Sequence, residues 1–285
     1  MRTWTSSARG AGPRASSVPE VGARVDRVSS AKATLSDSGA SYPRVGRWLV
    51  YAPRVEDVLE AAIANNVAWC EIVCRMHGLE GRSVTGVWAV DQRPPAYYPD
   101  AITLSPSATP TEVLAIIDSS PGCAVKDSFA SLDLEPHGFR VLFDALWFVV
   151  DSVQPRDEGD LAWEAVVDAD DLVAWVGGWS GRYEEDPPFD VALLEEEGVT
   201  FLAARRRGEV VAGAIANVGP GEVVGISNVF TTGADVDATW SGALRQLERR
   251  WPGRPIVGYE HGSAFDAAHA HGAAALGPLR IWTNG

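Results

Sequence analysis

The sequence predicts an α/β (α+β) fold built as two lobes, each a mixed, mostly antiparallel sheet flanked by helices. Strand patterns alternate with helical patterns in both halves of the chain, the element order typical of these fold classes. A polar segment containing Pro155 separates the halves at about residues 151–160. The 285 residues, 46% of them hydrophobic, are enough for two ordinary domains. We therefore predict lobes at residues 45–152 and 160–285.

Residues 1–44 differ from the rest of the chain in composition. They are rich in Ser, Ala, Gly and Arg and show little apolar periodicity. Such a segment does not bury enough apolar surface to offset the entropy lost on ordering. We predict that it is disordered.

The first lobe opens with a long helical pattern. Apolar residues recur at helical spacing from Val55 to about His77, and Gly78 follows as a stop signal. The other predicted elements of this lobe are strands at 84–90, 101–104 and 122–132, a helix at 111–119, and a strand or helix at 139–150.

The second lobe repeats this alternation. It begins with a strand at 162–167, followed by a helix at 168–179 with Asp168 or Asp170 as its N-cap. The further predicted elements are a short helix at 190–197, strands at 199–205, 210–217, 222–230, 255–260 and 277–282, and helices at 237–250 and 262–272.

The charge of the chain argues against general nucleic-acid binding. The formal net charge is −14, and residues 45–285 hold 17 basic against 35 acidic residues, a net of −18. An acidic body repels phosphate backbones unless it carries a basic patch. The densest basic cluster, Arg205 to Arg207, lies between two predicted strands, and we predict a solvated hairpin turn there.

Cysteine usage and hydropathy indicate the compartment. Three cysteines do not make a disulfide framework and fit a reducing cytoplasm. Cys70, Cys74 and His77 share one helix face, but a metal site there needs a further ligand, and buried cysteines are common in cores. No apolar run approaches the roughly 20 residues that cross a bilayer. We predict a soluble, cytoplasmic protein without metal or membrane partner.

Aromatic residues and lysines are unevenly used. The chain has 11 Trp, which we interpret mainly as core packing because large rings bury much apolar area. Lys126 is the only lysine of the predicted folded body. Lys126 and Ser128 alternate along one predicted strand and share a face. They suit a nucleophile and its base, and a hydrogen-bonded strand edge is the alternative.

The second lobe resembles the GCN5-related N-acetyltransferase (GNAT) superfamily. Residues 223–230 resemble its fourth strand and 255–260 its fifth, followed by a helix at 262–272 and a closing strand at 277–282. The first lobe resembles this superfamily more loosely. The two lobes together resemble tandem GNAT architectures, in which two such folds lie side by side. The resemblance implies that the gap between the fourth and fifth strands admits the pantetheine arm of acyl-CoA. It also implies transfer of an acyl group to a small-molecule amine.

The turn after the fourth strand departs from the family pattern, an Arg/Gln-x-x-Gly-x-Gly/Ala phosphate loop. In this chain Gly233 is the only one of these glycines, and the basic residue is missing. Asp235 and Asp237 are present in addition. Carboxylates near a diphosphate are unfavourable by Coulomb repulsion. One of them is expected to cap the following helix. The loop therefore argues against acyl-CoA as the donor. Another activated donor stays open as an alternative. An aminoacyl-tRNA is one such donor, although the acidic body of the protein argues against it.

The helix after the fifth strand also departs from the family. The family pattern there has Asn at its start and Tyr as proton donor to the leaving thiolate. The resemblance places His261 at the Asn position, Ala268 at the Tyr position and Ala273 at a Phe position. His269 is adjacent to the missing acid but points about 100° away around the helix.

Candidate site residues follow from the strand ends. Glu260 ends the fifth strand, where a carboxylate can deprotonate an amine, and a solvent or capping role is the alternative. The resemblance assigns the fourth strand and its turn to the acyl donor. The predicted catalytic residues are Glu260, Tyr259 and Asn228; the predicted cofactor-binding residues are Val229, Phe230, Thr231, Thr232 and Gly233; the predicted substrate-binding residues are Lys126, Ser128 and Ser227.

Two functions remain open from the sequence. The first is a GNAT-like N-acyltransferase that orients a small-molecule amine against an acyl donor. The second is a catalytically inactive GNAT-like protein that binds a small molecule or a partner. A fold alone does not decide between them, because one fold hosts unrelated functions.

Overall fold

The computed structural model describes residues 54–154, 160–181 and 187–285, all within one compact unit, Tyr51–Gly285. The predicted disordered segment 1–44 and residues 155–159 of the predicted linker lie outside the described residues. The α-helices of the described chain are α1 (Val55–Met76), α2 (Pro110–Leu114), α3 (Ala169–Ser180), α4 (Val236–Arg250) and α5 (Gly262–Ala270). The strands are β1 (Gly81–Val84), β2 (Val87–Val90), β3 (Ala101–Thr103), β4 (Ala124–Asp127), β5 (Arg140–Val150), β6 (Ala162–Ala165), β7 (Val199–Arg206), β8 (Glu209–Val218), β9 (Val224–Thr231), β10 (Ile256–Glu260) and β11 (Ala274–Thr283).

All of these strands form one sheet, in the order β1-β2-β3-β4-β11-β5-β10-β9-β8-β7-β6. Neighbours are antiparallel except β3 with β4 and β9 with β10. The predicted fold class, a mixed and mostly antiparallel α/β arrangement, is confirmed.

Strands from the two predicted lobes interleave in the middle of the sheet. β5 of the first lobe lies between β10 and β11 of the second, and β11 lies between β5 and β4. The sheet is therefore continuous across the predicted linker. The lobe boundaries at residues 152 and 160 stay a prediction.

Helices cover both faces of this sheet. α1 and α3 pack on one face, where Trp69 of α1 and Trp175 of α3 share a core cluster with Phe201 of β7. α4 and α5 pack on the other face, where Trp240 and Ala268 meet the strands. The prediction that tryptophans mainly pack the core holds for the large fully buried rings, which include Trp88, Trp147, Trp175 and Trp282.

Local hydrogen bonds shorten several predicted elements. The predicted strand 84–90 is a hairpin, because Thr85 and Gly86 adopt positive φ and turn the chain between β1 and β2. The predicted strand 122–132 ends at Asp127, whose carboxylate accepts from the backbone N–H of Phe129 and Leu132. The predicted helix 190–197 is a 3₁₀ turn, Val191–Leu194, and residues 140–150 form a strand.

The arginine cluster is a hairpin turn, but it is not simply solvated. Arg205 binds the carboxylates of Glu164 and Asp171, tying β7 to β6 and α3. Arg206 binds Asp160 through a forked guanidinium–carboxylate contact. The prediction of a solvated cluster was wrong for these two arginines, because acidic side chains distant in sequence come beside them.

Candidate functional site

The centre of the candidate site is the place where β9 and β10 stop pairing, called the β9–β10 cleft below. The two strands pair only through Ile256 with Val224 and Val257 with Gly225. Beyond these pairs β9 stays bonded to β8 and β10 stays bonded to β5. The parallel strands therefore diverge toward their carboxyl ends, as the resemblance implies.

A β-bulge shapes the β9 side of the cleft. Gly213 of β8 pairs with Phe230 and Ile215 pairs with Ser227, so Ala214 opposes two residues of β9. One of these is Asn228, whose φ of 53° lies in the left-handed region, which Asn tolerates better than most residues. The bulge breaks the strict alternation of a regular strand, which would place Ser227 and Asn228 on opposite faces. The Asn228 amide instead donates to Ser227 Oγ at 3.0 Å.

Glu260 ends β10 on the other side of the cleft. Its side chain is half-buried, and burial raises the pKa of its carboxyl to about 8, although the backbone N–H of His261 donates to it and opposes this shift. A carboxyl with this pKa is protonated at neutral pH for most of the time and ionises just above it. Such a group is suited to proton exchange near physiological pH.

Tyr259, one residue earlier, faces a buried lysine. Lys126 Nζ lies 4.5 Å from the centre of the Tyr259 ring, over its face. Lys126 donates to Asn66 Oδ1 of α1 at 2.7 Å. Trp147 packs edge-on against Tyr259, with ring centres 5.3 Å apart. Two residues more than one hundred positions apart in the sequence are thus brought together beneath α1.

In the part of the chain that the structure describes, no carboxylate pairs with this lysine. Burial lowers the pKa of Lys126, but its interactions with Tyr259 and Cys70 outweigh burial and raise the pKa above the ordinary value. The side chain is 3% exposed. Among the described residues its hydrogen-bond partner is the neutral amide of Asn66. Within the described residues, the site therefore contains a buried lysine without a carboxylate partner.

Ser128 does not pair with Lys126. Ser128 Oγ is buried and has no hydrogen-bond partner among the described residues, whereas its carbonyl accepts from Trp147 Nε1 at 2.9 Å. The hypothesis of a Lys–Ser nucleophile pair was wrong, because the chain turns out of the strand after Asp127. The predicted substrate-binding role of the two residues stays a prediction.

Backbone N–H groups of the loop after β9 donate hydrogen bonds within the protein. The N–H of Thr232 donates to the Val211 carbonyl at 2.8 Å, and that of Ala234 donates to Thr231 Oγ1 at 3.0 Å. Phe230 is turned into the core, edge-on to Trp175 at 5.0 Å. These groups face protein rather than an open phosphate cradle. The cofactor-binding role predicted for Val229, Phe230, Thr231, Thr232 and Gly233 stays a prediction.

The start of α4 is capped by protein side chains. Asp235 is the N-cap and accepts from the N–H of Ala238 at 3.0 Å, which confirms the predicted capping role. Asp237 lies 3.3 Å from Nε2 of the buried His271. An acidic helix start is stabilised by the helix dipole, but it competes with an external anion for the same position.

One basic residue beside this loop was missed from the sequence. Arg206 donates to the Gly233 carbonyl at 2.8 Å and is otherwise held by Asp160. Because Arg206 lies 27 positions from Gly233, only the β7–β8–β9 register brings them together. The hairpin predicted after Arg206 was the one sequence feature that could have indicated this contact.

The helix after β10 lacks a proton donor at the family position. Ala268 is fully buried against the core, and the neighbouring His269 has Nδ1 2.8 Å from the Ala273 carbonyl. His261 precedes α5 and stacks on Phe143 with ring centres 4.7 Å apart. Any acid at this site must therefore come from other residues.

The cysteine-bearing face of α1 belongs to the core. Cys70 and Cys74 are buried as free thiols, and His77 Nε2 lies 3.1 Å from the Pro188 carbonyl. Within the described ranges, no three His, Cys, Asp or Glu side chains group as a metal site. In the same part of the chain, no helix combines the length and apolar character needed to span a bilayer.

Comparison with known proteins gives structural neighbours only. No protein-family profile matches the sequence, and no curated protein matches it. Among solved structures, it is similar to a GCN5-related N-acetyltransferase from Kribbella flavida, with a TM-score of 0.54 and 14% identity over 78% of this chain and 96% of that one. It is also similar to a protein described as a GNAT-family acetyltransferase from Novosphingobium aromaticivorans, with a TM-score of 0.51 and 15% identity over 79% and 99% of the two chains.

These neighbours establish the fold. The chain has a GNAT-like fold over most of its length, and the fold expectation from the resemblance is confirmed. At such low identity the likeness does not carry activity, donor or acceptor from those proteins to this one.

Proposed function

We propose that the protein is an N-acyltransferase that moves an acyl group from an activated donor, such as a thioester, to a small-molecule amine in the β9–β10 cleft. The observation that carries the proposal is the divergence of these strands after two residue pairs, with a proton-exchanging carboxyl at the end of one of them. A cleft of this kind holds two reactants side by side, which supplies much of the rate of a bimolecular reaction.

Glu260 is the proposed general base. An amine nucleophile must lose a proton as it attacks the acyl carbon, and Glu260, once ionised, accepts that proton directly or through one water. Its pKa of about 8 lies close to the working pH, where a base is most effective. Asn228 is proposed to orient the reactants from the opposite strand, because the bulge fixes its backbone at the cleft.

The donor is proposed to be gripped by its acyl and pantetheine-like part rather than by its phosphates. Thr232 and Ala234 have their N–H groups engaged within the protein, and Asp235 occupies the helix N-cap. Asp237 adds negative charge at the same place. Such a loop offers little to a diphosphate.

Thermal-shift titration tests this proposal. Acetyl-CoA, longer acyl-CoAs and the matching acyl-pantetheines are compared at equal concentrations, because a ligand that binds the native state raises Tm as its concentration rises. We expect acyl-pantetheine and acyl-CoA to give similar shifts. A Tm increase with acyl-CoA but not with acyl-pantetheine would show that the loop binds the phosphates. No Tm increase with any thioester would contradict a thioester donor.

The same loop favours a second candidate function. A GNAT-like protein whose phosphate loop is closed by its own residues could retain the cleft as a binding site without catalysis. This alternative predicts that a small amine raises Tm while no acyl donor does so. The two functions are therefore separated by the same titration.

A further inference from the structure

Lys126 is a buried lysine within the described chain. It is 3% exposed, and a buried ion without a counter-charge costs several kcal/mol in proteins. Packing does not explain it, since Met or Leu fills a similar volume without that cost. A retained buried charge of this kind is more readily explained by function than by stability.

The position of the charge links it to the cleft. The Lys126 ammonium lies over the ring face of Tyr259, 4.5 Å from the ring centre. Tyr259 belongs to the part of β10 that has separated from β9, next to Glu260. Asn66 holds the ammonium from α1 at 2.7 Å, so the lysine is fixed in place rather than free to rotate.

A phenol beside an ammonium becomes a stronger donor of its own hydrogen, because the nearby positive charge stabilises negative charge on the phenol oxygen. Negative charge develops on the acyl oxygen when an amine attacks a thioester. Preorganised donors aimed at such an oxygen often make the largest contribution to acyl-transfer catalysis.

We propose that Lys126 is a positioning residue that polarises the Tyr259 hydroxyl, and that Tyr259 donates a hydrogen bond to the oxyanion formed in the cleft. No proton is transferred in this step: the hydroxyl keeps its hydrogen, and the ammonium keeps its own. The inference rests on the proposed acyl transfer and adds an electrostatic partner from the first half of the chain.

A substrate-independent experiment tests the contact first. The chain contains two lysines, Lys32 and Lys126, so a Lys32→Arg protein grown with ¹⁵N-lysine carries a single labelled Nζ. We expect one ammonium signal with slowed hydrogen exchange at neutral pH, shifted by Tyr259→Phe. A fast-exchanging signal that Tyr259→Phe leaves unchanged would overturn the contact.

Stability and rate are then expected to move in different directions. Lys126→Met removes the buried charge, so its Tm is expected to equal or exceed that of the wild type. Its kcat for thioester aminolysis, measured as thiol release, is expected to fall about tenfold, and that of Tyr259→Phe about 100-fold, with KM nearly unchanged. A large fall in Tm for Lys126→Met would assign the lysine to folding instead. Lys126→Arg, which keeps the charge, is expected to retain more of the rate than Lys126→Met.

The double variant decides whether Lys126 acts through Tyr259. If it does, Lys126→Met adds little further loss in the Tyr259→Phe background, because the effects of coupled residues are not additive. Independent, multiplying losses would overturn the proposal. If the wild type turns over no thioester, the proposed function falls and this role falls with it, whereas the ¹⁵N signal still decides the Lys126–Tyr259 contact.

Discussion

Glu260 shows how a single side chain ties stability to pH. Burial raises the pKa of its carboxyl to about 8, above the value in an unfolded chain. The folded state therefore keeps this proton as the pH rises, while the unfolded state loses it first. The stabilising contribution is fully present below the unfolded pKa and is lost as the pH rises to about 8.

Glu260→Gln is expected to remove this dependence. The Tm of the variant relative to the wild type should increase from pH 4.5 to pH 9, because glutamine has no proton to lose. Scanning calorimetry across this range measures it. Glu195→Gln, at an exposed position, is the matched control and should follow the wild type. A Tm difference between Glu260→Gln and wild type that does not change with pH would contradict the raised pKa.

At the residue scale, the sequence located some site groups and missed their partners. Glu260 and Tyr259 were predicted because a strand end is visible in the hydrophobic pattern. Asn66 could not be predicted as the partner of Lys126, because the two are 60 positions apart and meet only through the packing of α1 on the sheet. The Asn228 bulge likewise depends on the register of β8 and has no signature in β9 alone.

At the element scale, helix packing predicts opposite effects on stability for alanine at two helical glycines. Gly177 in α3 has open space where a Cβ would be placed. Gly242 in α4 lies against the ring of Trp163, which a Cβ would meet. Glycine inside a helix costs roughly 0.5–1 kcal/mol relative to alanine where space is free.

Gly177→Ala is therefore expected to stabilise the protein by about 0.5–1 kcal/mol. Gly242→Ala is expected to destabilise it by about 1–3 kcal/mol, because Trp163 must move and β6 with it. Denaturant unfolding of the two variants measures both values. The same sign for both would contradict the packing of α4 on β6.

Elements with strong local signals were predicted well. The limits of α4 and β10 agree with the sequence expectation to within one or two residues, because Asp235 caps the helix and Pro255 precedes the strand. The hairpin at Thr85 was missed, since a non-glycine residue with positive φ gives no clear turn signal. The Asp127 turn was missed because its side-chain bonds reach forward along the chain.

At the scale of the whole molecule, the interleaved strands join the two predicted lobes. A fragment of residues 160–285 lacks β5, and both β10 and β11 lose a neighbour in the sheet. Unpaired strand edges in a sheet interior leave backbone groups without partners.

We expect residues 54–285, which contain all the described elements, to unfold in one cooperative transition. The fragment 160–285 alone is expected to show no such transition. Circular dichroism during heating measures both. If the fragment 160–285 folds independently, the interleaved strands are not needed for folding, and two separate domains are favoured.

The fold class was accessible from the sequence at this scale, whereas the single sheet was not. Each half shows its own alternation of strands and helices, which suggests two layers. The pairing of β5 with both β10 and β11 depends on contacts more than one hundred positions apart, and hydrophobic periodicity carries no information about them.

The central claim is that the β9–β10 cleft transfers acyl groups with Glu260 as the base. Its most direct measurement is thiol release from acetyl-pantetheine and acetyl-CoA in the presence of a panel of small primary amines, with pH varied from 6 to 9.5. The wild type is expected to release thiol with at least one amine, at a rate that rises with pH through about 8 as Glu260 ionises. Glu260→Gln is expected to lose about 10²–10⁴-fold. Equal rates for wild type and Glu260→Gln, or no release with any amine, would contradict the account.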